Sequence, residues 1–278
     1  MRRLRLPSLP RSVTFRLGLA ITVLVVLAAI FGEQFAPHDP NNQNLLVRLA
    51  PPGTEGHILG TDQYGRDILS RLFVGARISM IVGLGAVGLG SAVGLVLGLL
   101  AGYLGGWVDL IIGRVLDILL SFPAILLALA LVAALGPSLQ NIVLAIGITT
   151  SPLYGRVVRA SAMTVKNRDF VAAARFMGGN HVYVVVRHVV PNVLSPLLVT
   201  ATVGIATAIL VEATLSFLGI GTPPPTASWG TIVSDGKQFL SAAPWLSAFG
   251  GLAIVVAVFG VTLLGDGLRD VLDPKLRR

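Results

Sequence analysis

The residues able to do chemistry in this chain are few, and their spacing does not suit any familiar reaction. The four histidines, His38, His57, His181 and His188, form no HExxH pair, and the last two stand seven apart with no acid between them. Neither a zinc-protease helix nor a helical pair of metal ligands is written here, and the expected metal set is none. Gly236 and Lys237 are followed by Gln238 and lack an upstream glycine at P-loop spacing, which removes ATP binding by a Walker A loop. Gly83, Gly85 and Gly88 match the dinucleotide fingerprint formally, but no strand leads into them and no soluble βαβ unit surrounds them. The absence of cysteine excludes disulfides, thiolate catalysis and cysteine-ligated metals. No nucleophile, base and orienting acid fall into one site, so the expectation is a protein that is not an enzyme and binds no cofactor directly.

The polar residues mark a surface instead. Arg156, Arg159, Lys166, Arg168, Asp169, Arg175 and Arg187 cluster in and before the stretch DFVAAARFMGGNHVYVVVRHVVPN at 169–192, which apolar segments enclose on both sides. Lys and Arg accumulate on the cytoplasmic side of membrane chains, so this stretch is read as a cytoplasmic docking site for a soluble partner. Asp169 is expected to cap a short helix whose Phe170, Ala173, Ala174 and Met177 form an apolar face. Gly178 and Gly179 would break it, and a second helix would run from His181 toward Pro191. Two short helices joined at glycines make a rigid knob.

The elements that must position this knob follow from composition. With 54% hydrophobic residues, 12% charged residues and 32 glycines, the chain lacks the polar surface to cover a soluble core and is read as an all-α integral membrane protein. The net charge of +8 sits beside apolar spans, which fits topology and anionic lipid and not nucleic acid. Six transmembrane helices are expected. The first follows the N-terminal bases Arg2, Arg3, Arg5, Arg11 and Arg16 over 17–32, and without a small-x-small cleavage site it is read as retained. An outer segment from Glu33 to Arg77 then ends in an amphipathic lead-in with Ile68, Leu69, Leu72 and Phe73 on one face.

The second span lies in the charge-free interval between Arg77 and Asp109, where Gly90, Gly94, Gly98, Gly102 and Gly106 recur every four residues and lay a smooth groove along one helix face for close packing. The third runs over 118–135 and contains Pro123; the fourth begins at Ile142 and passes Pro152. The fifth covers 193–217 and the sixth 245–265. Both termini are then cytoplasmic, with five bases in the N-terminal arm and six between spans four and five, against one between spans five and six. Three polar features remain. Glu212, in the fifth span, needs a partner or water, either at a pathway gate or in a structural pair. Arg114 and Asp117 read as an intrahelical pair. Arg66 and Asp67 suit either a turn-stabilising salt bridge or contact with an external protein.

Four strings resemble one family in its expected order: LGTDQYGRDILSRLFVGARISM over 59–80, RVLDILLSFPAILLALALVAALG over 114–136, EATLSFLGIGTPPPTASWG over 212–230, and GDGLRDVLDPKLR over 265–277. They are similar to the C-type permease subunits of dipeptide, oligopeptide and nickel ABC importers, which depend on a binding protein. Ala172, Ala173, Ala174, Gly178 and Pro191 resemble the generic motif of importer permeases, except that the family's glutamate falls on Ala172. The resemblance implies a type I importer permease fold with an arm, first helix and external segment at 1–75, a transmembrane domain at 76–266 carrying coupling helices at about 169–191, and a tail at 267–278.

It also implies the partners: a homologous permease in a heterodimer, two cytoplasmic ATPase subunits that hold ATP and Mg, and an extracytoplasmic substrate-binding protein. Asp169, Ala172, Ala173, Ala174, Arg175, Gly178, Gly179 and Pro191 would form the ATPase-coupling site. The missing acid at Ala172 implies docking by packing, by Arg175 or by the main chain. The expected cargo is short peptides, with nickel, glutathione or another small solute as alternatives. A secondary transporter or a non-transporting scaffold are the readings from other classes.

Overall fold

The computed structural model describes residues 13–272, and the regular elements among them are all helices. The bases Arg2, Arg3, Arg5 and Arg11 and the charged tail from Asp273 onward therefore lie outside the described residues. Helix α1 is Val13–Phe35, α2 is Ile68–Leu104, α3 is Gly106–Ser121, α4 is Ala124–Leu135 and α5 is Leu139–Lys166. Then come α6 at Asp169–Phe176, α7 at His181–Phe217, α8 at Trp229–Gly236 and α9 at Trp245–Leu272. Five of these, α1, α2, α5, α7 and α9, are long and apolar enough to cross a membrane, and α3 with α4 makes a sixth crossing if that bent pair counts as one span.

The third span departs from expectation. In place of one helix over 118–135, α3 and α4 meet at an angle of 91°. The break follows from Pro123: its ring disfavours helical geometry at the preceding residue, and Phe122 is extended at φ −89° and ψ 138°. The amphipathic lead-in, by contrast, is continuous with the second span, and Asp67 starts both by accepting the backbone N–H of Ser70.

Glycines set the central packing. Gly90, Gly94, Gly98 and Gly102 on α2 face Gly147, Ser151, Tyr154, Gly155, Val158 and Arg159 on α5, and an added Cβ at Gly94 would stand 2.6 Å from the Tyr154 Cβ and 2.8 Å from the Gly155 nitrogen. Lipid tails are as apolar as the helices, so close backbone approach and dispersion hold such a pair together. Gly106 does not belong to this seam. It has φ +55° with nothing within 4 Å of an added Cβ, and with Gly105 at φ +73° it turns the chain from α2 into α3. The expected five-glycine groove is thus four packing positions and one turn.

The two ends of the bundle differ. At one, the 36–67 segment and α8 gather on the start of α2, where the Trp229 Nε1 donates to the Leu72 carbonyl at 3.0 Å. At the other, α6 sits beside the last turn of α2 and the first turns of α7.

Candidate coupling surface and buried polar sites

Helix α6 is held from below by Val171 and Ala174, both buried, while Ala172, Ala173, Phe176 and Met177 are exposed, the last two at 92% and 82%. The expected apolar face of Phe170, Ala173, Ala174 and Met177 is therefore divided: Ala174 anchors the helix, Phe170 lies beside the His188 ring of α7 at a centroid distance of 6.3 Å, and Ala173 and Met177 point away. Asp169 is the first residue of the helix and not its cap. Arg168 holds the cap position with extended backbone and no side-chain hydrogen bond, so Asp169 contributes charge at the positive end of the helix dipole.

Gly178 ends the helix at φ +87°, a left-handed conformation that a side chain would strain, and the Gly179 N–H donates to the Ala174 carbonyl at 3.0 Å. Asn180, which sequence reasoning passed over, caps α7 by accepting the Tyr183 N–H at 2.8 Å. The second helix does not stop at Pro191. It continues to Phe217 as one rod, passing through a π-helical segment at Val185–Val189 just before Pro191, which has no N–H to donate to the preceding turn. The knob is one short helix bonded through a glycine turn to the root of a span.

Arg175 is turned back into the molecule. Its guanidinium lies 5.2 Å from the centroid of the Tyr103 ring, and the Tyr103 hydroxyl is 3.3 Å from the His181 Nδ1. Tyr103 is itself buried, in the π-helical last turn of α2. Nearby, the Arg159 guanidinium on α5 grips Asp109 on α3 with two hydrogen bonds, Nη2 to Oδ2 at 2.7 Å and Nε to Oδ1. Asp117 pairs with Arg156 at 2.6 Å, across to α5 and not with Arg114 along its own helix as expected. A cavity of about 740 Å³ opens between α7 and α9 at this end, lined by Pro191, Asn192, Ser195, Asp266 and Arg269 among others.

Glu212 lies in an unbroken stretch of α7 and is 1% exposed. The hydroxyls of Ser216 and Ser228 donate to its Oε1 at 2.8 and 2.7 Å, while Oε2 has no hydrogen-bond partner. Ser228 caps α8 and also accepts the Thr231 N–H, so Glu212 fixes the start of that helix. Of the two roles open to Glu212, the structural pair is the one with atoms in place. The partner serine lies sixteen residues downstream, beyond the reach of a helical periodicity.

Arg66 and Asp67 also have structural partners. Asp62 accepts from the Arg66 Nε at 2.6 Å and faces the Arg71 Nε at 3.5 Å, and both guanidinium groups reach Asp235 of α8 at 3.6 and 3.7 Å. Burial pushes the Asp235 carboxyl above the usual carboxylate range, against the pull of Arg71 and Arg66. Asp67 is buried beneath His57, whose Nδ1 lies 3.0 Å from Oδ1. Among the described residues, His38, His57 and Asp67 bring three metal-type donor atoms within 4.8 Å of one another. The expectation of an empty metal set rested on linear spacing, and this grouping, assembled from three separate turns, escapes such spacing.

Residues 94–278 match the family described as "Binding-protein-dependent transport system inner membrane component", and residues 10–52 match the "N-terminal TM domain of oligopeptide transport permease C". The dipeptide transport system permease protein DppC of Escherichia coli K12 is 49% identical over 266 residues, 94% of this chain and 89% of that protein. The di/tripeptide transport system permease protein DppC of Pseudomonas aeruginosa is 44% identical over 94% of this chain and 88% of that protein. A putative peptide transport system permease protein of Brucella suis biovar 1 is 45% identical over 97% of this chain and 90% of its own length. A chain of the inward-facing MetNI methionine ABC transporter superposes with a TM-score of 0.61, covering 73% of this chain and 96% of the other at 18% identity, which shows a shared fold.

Proposed function

The chain belongs to the inner-membrane components of binding-protein-dependent transport systems, as a multi-pass C-type permease of the peptide ABC importer family, and from that premise we propose how it works. It forms half of a translocation pathway for di- and tripeptides, paired with a homologous permease. The bundle end that carries α6 faces the cytoplasm, in keeping with its arginines, and both termini lie on that side. Two ATPase subunits, which hold ATP and Mg, grip α6 and its counterpart. A substrate-binding protein delivers peptide to the opposite end, where segment 36–67 and α8 lie.

The observation that carries this reading is the placement of α6. Phe176 and Met177 stand free at its tip, while Arg175, Tyr103 and His181 tie its root to α2 and α7. An apolar tip suits a groove on a soluble partner and supplies packing where the family's acid is replaced by Ala172, while the acid that α6 does carry on its exposed side is Asp169, in its first turn. Nucleotide binding that favours closed ATPases would press α6, and the rooted contacts would pass that displacement to two spans. The work comes from the difference in nucleotide affinity between two states of the assembly.

The reconstituted complex tests this directly. Labelled di- and tripeptides should enter proteoliposomes only with ATP and binding protein present. Phe176→Asp should release the ATPase subunits during purification while leaving the permease folded. Retention of the ATPase and parental uptake by that variant would refute the docking role of α6.

A further inference from the structure

We propose that His38, His57 and Asp67 bind a divalent transition-metal ion of zinc's class, clamping segment 36–67 to the start of α2. Three pieces of chain supply the donors: the turn after α1, the loop at 57, and the capping residue of α2. The Nδ1 atoms of both imidazoles face one carboxylate, His57 at 3.0 Å from Oδ1 and His38 at 4.0 Å from Oδ2. A tetrahedral ion with bonds of about 2.0–2.2 Å holds its ligand atoms roughly 3.3–3.5 Å apart, so small side-chain rotations close the set. The two rings lie 4.9 Å apart at 33°, near enough to share one ion.

The donor set determines the class of ion. Two imidazoles and one carboxylate suit zinc and its neighbours, whereas magnesium and calcium take oxygen ligands. Three protein ligands leave a fourth position, and it opens on the side of His38, whose side chain is 40% exposed beside a 15% exposed His57 and a 1% exposed Asp67.

The surrounding hydrogen bonds already orient the ligands. Ser70 donates to Asp67 Oδ2 from both its backbone N–H, at 2.8 Å, and its hydroxyl, at 2.7 Å. The His38 backbone N–H donates to the same Ser70 hydroxyl at 3.1 Å, so one serine fixes two of the three ligands. Such outer partners pre-set ligand geometry in metal sites. The competing arrangement is a plain His57–Asp67 hydrogen bond that supports the helix cap, with His38 as a bystander.

Metal binding separates the two. The full-length chain, carrying no polyhistidine tag, is stripped with a chelator in nanodiscs and titrated with Co²⁺ and then Zn²⁺. The expected result is one equivalent of Co²⁺ with the strong visible absorption of a four-coordinate site, displaced by Zn²⁺ and not by Mg²⁺. His38→Ala and His57→Gln should each weaken affinity at least about tenfold, and Ser70→Ala by a similar factor, while His181→Ala leaves it unchanged. His38→Ala removes an exposed ring that no structural hydrogen bond holds at its side chain, so it decides the matter if His57→Gln disturbs folding. Failure of the wild-type chain to bind one saturable equivalent, or parental affinity in His38→Ala, would overturn the site.

Discussion

The guanidinium of Arg175 on α6 stacks over the ring of Tyr103 at the end of α2, 5.2 Å from its centroid, and the Tyr103 hydroxyl meets His181 at the start of α7. One tyrosine therefore joins a short helix to the roots of two spans. The ring is buried and cannot move without disturbing its neighbours, whereas the arginine remains accessible on its other face. On the proposed docking role of α6, a push on that helix would reach both long helices through this residue.

Tyr103→Ala should lower the number of peptides moved per ATP, while ATP hydrolysis itself continues. Tyr103→Phe keeps the stacking surface and loses only the hydroxyl, so it should retain most of the coupling. The Arg175 contact is worth about 0.5–1 kcal/mol at an exposed site, which predicts a mild defect in Arg175→Ala. Parallel assays of uptake and phosphate release in proteoliposomes check the order. Equal coupling in all three variants would remove Tyr103 from the transmission path.

Glu212 should tolerate amidation better than truncation. In Glu212→Gln an oxygen remains to accept from Ser216 and Ser228, so assembly and uptake should stay at the parental rate. Glu212→Ala strands both buried hydroxyls and should cost about 1–3 kcal/mol, seen as a lower unfolding temperature in detergent. A Glu212→Gln protein that assembles normally yet fails to transport would return the residue to the pathway.

The glycine series should divide under substitution. Gly94→Ala drives a methyl into Tyr154 and should destabilise by about 1–3 kcal/mol through overpacking. Gly88→Ala, with nothing within 4 Å of its added Cβ, should be silent. Gly106→Ala meets no atom either, but its positive φ should cost about 1–2 kcal/mol. Thermal unfolding of the three variants tests the distinction, and a silent Gly94→Ala would contradict the close seam between α2 and α5.

Asp235 should leave a mark on stability against pH. Its native carboxyl holds its proton to higher pH than the unfolded one, because burial disfavours the charge. The native state therefore binds more protons just above the ordinary carboxylate value of about 3.9, and stability falls as pH rises through that window. It levels off once the native carboxyl is ionised. Unfolding temperatures of wild type and Asp235→Asn between pH of about 4 and 7 should diverge on this slope. Parallel curves would show that the group titrates normally.

Much of the local structure around α6 was legible because it is set by neighbouring residues. Gly178 ends α6 at a positive φ, as a glycine after a short helix implies, and the exposed Ala172 sits where the family's acid would. The run past Pro191 was not legible, since a proline reads as a stop, whereas here the helix widens to a π-helical segment at Val185–Val189 and continues. Likewise Asp117 had a basic residue three positions away within its own helix, yet its partner is Arg156 on another span.

From residue types alone, the chain was a membrane protein with apolar spans and one long basic interruption, because hydropathy, glycine spacing and arginine placement are properties of contiguous sequence. Only the tertiary structure decided the 91° break at Pro123, the turn at Gly106 and the partners of Glu212, Arg66 and Asp117. It also brought His38 and His57 together on Asp67. Those relationships depend on which helix faces which, and buried polar groups take their partners across the fold wherever the packing leaves a donor within reach.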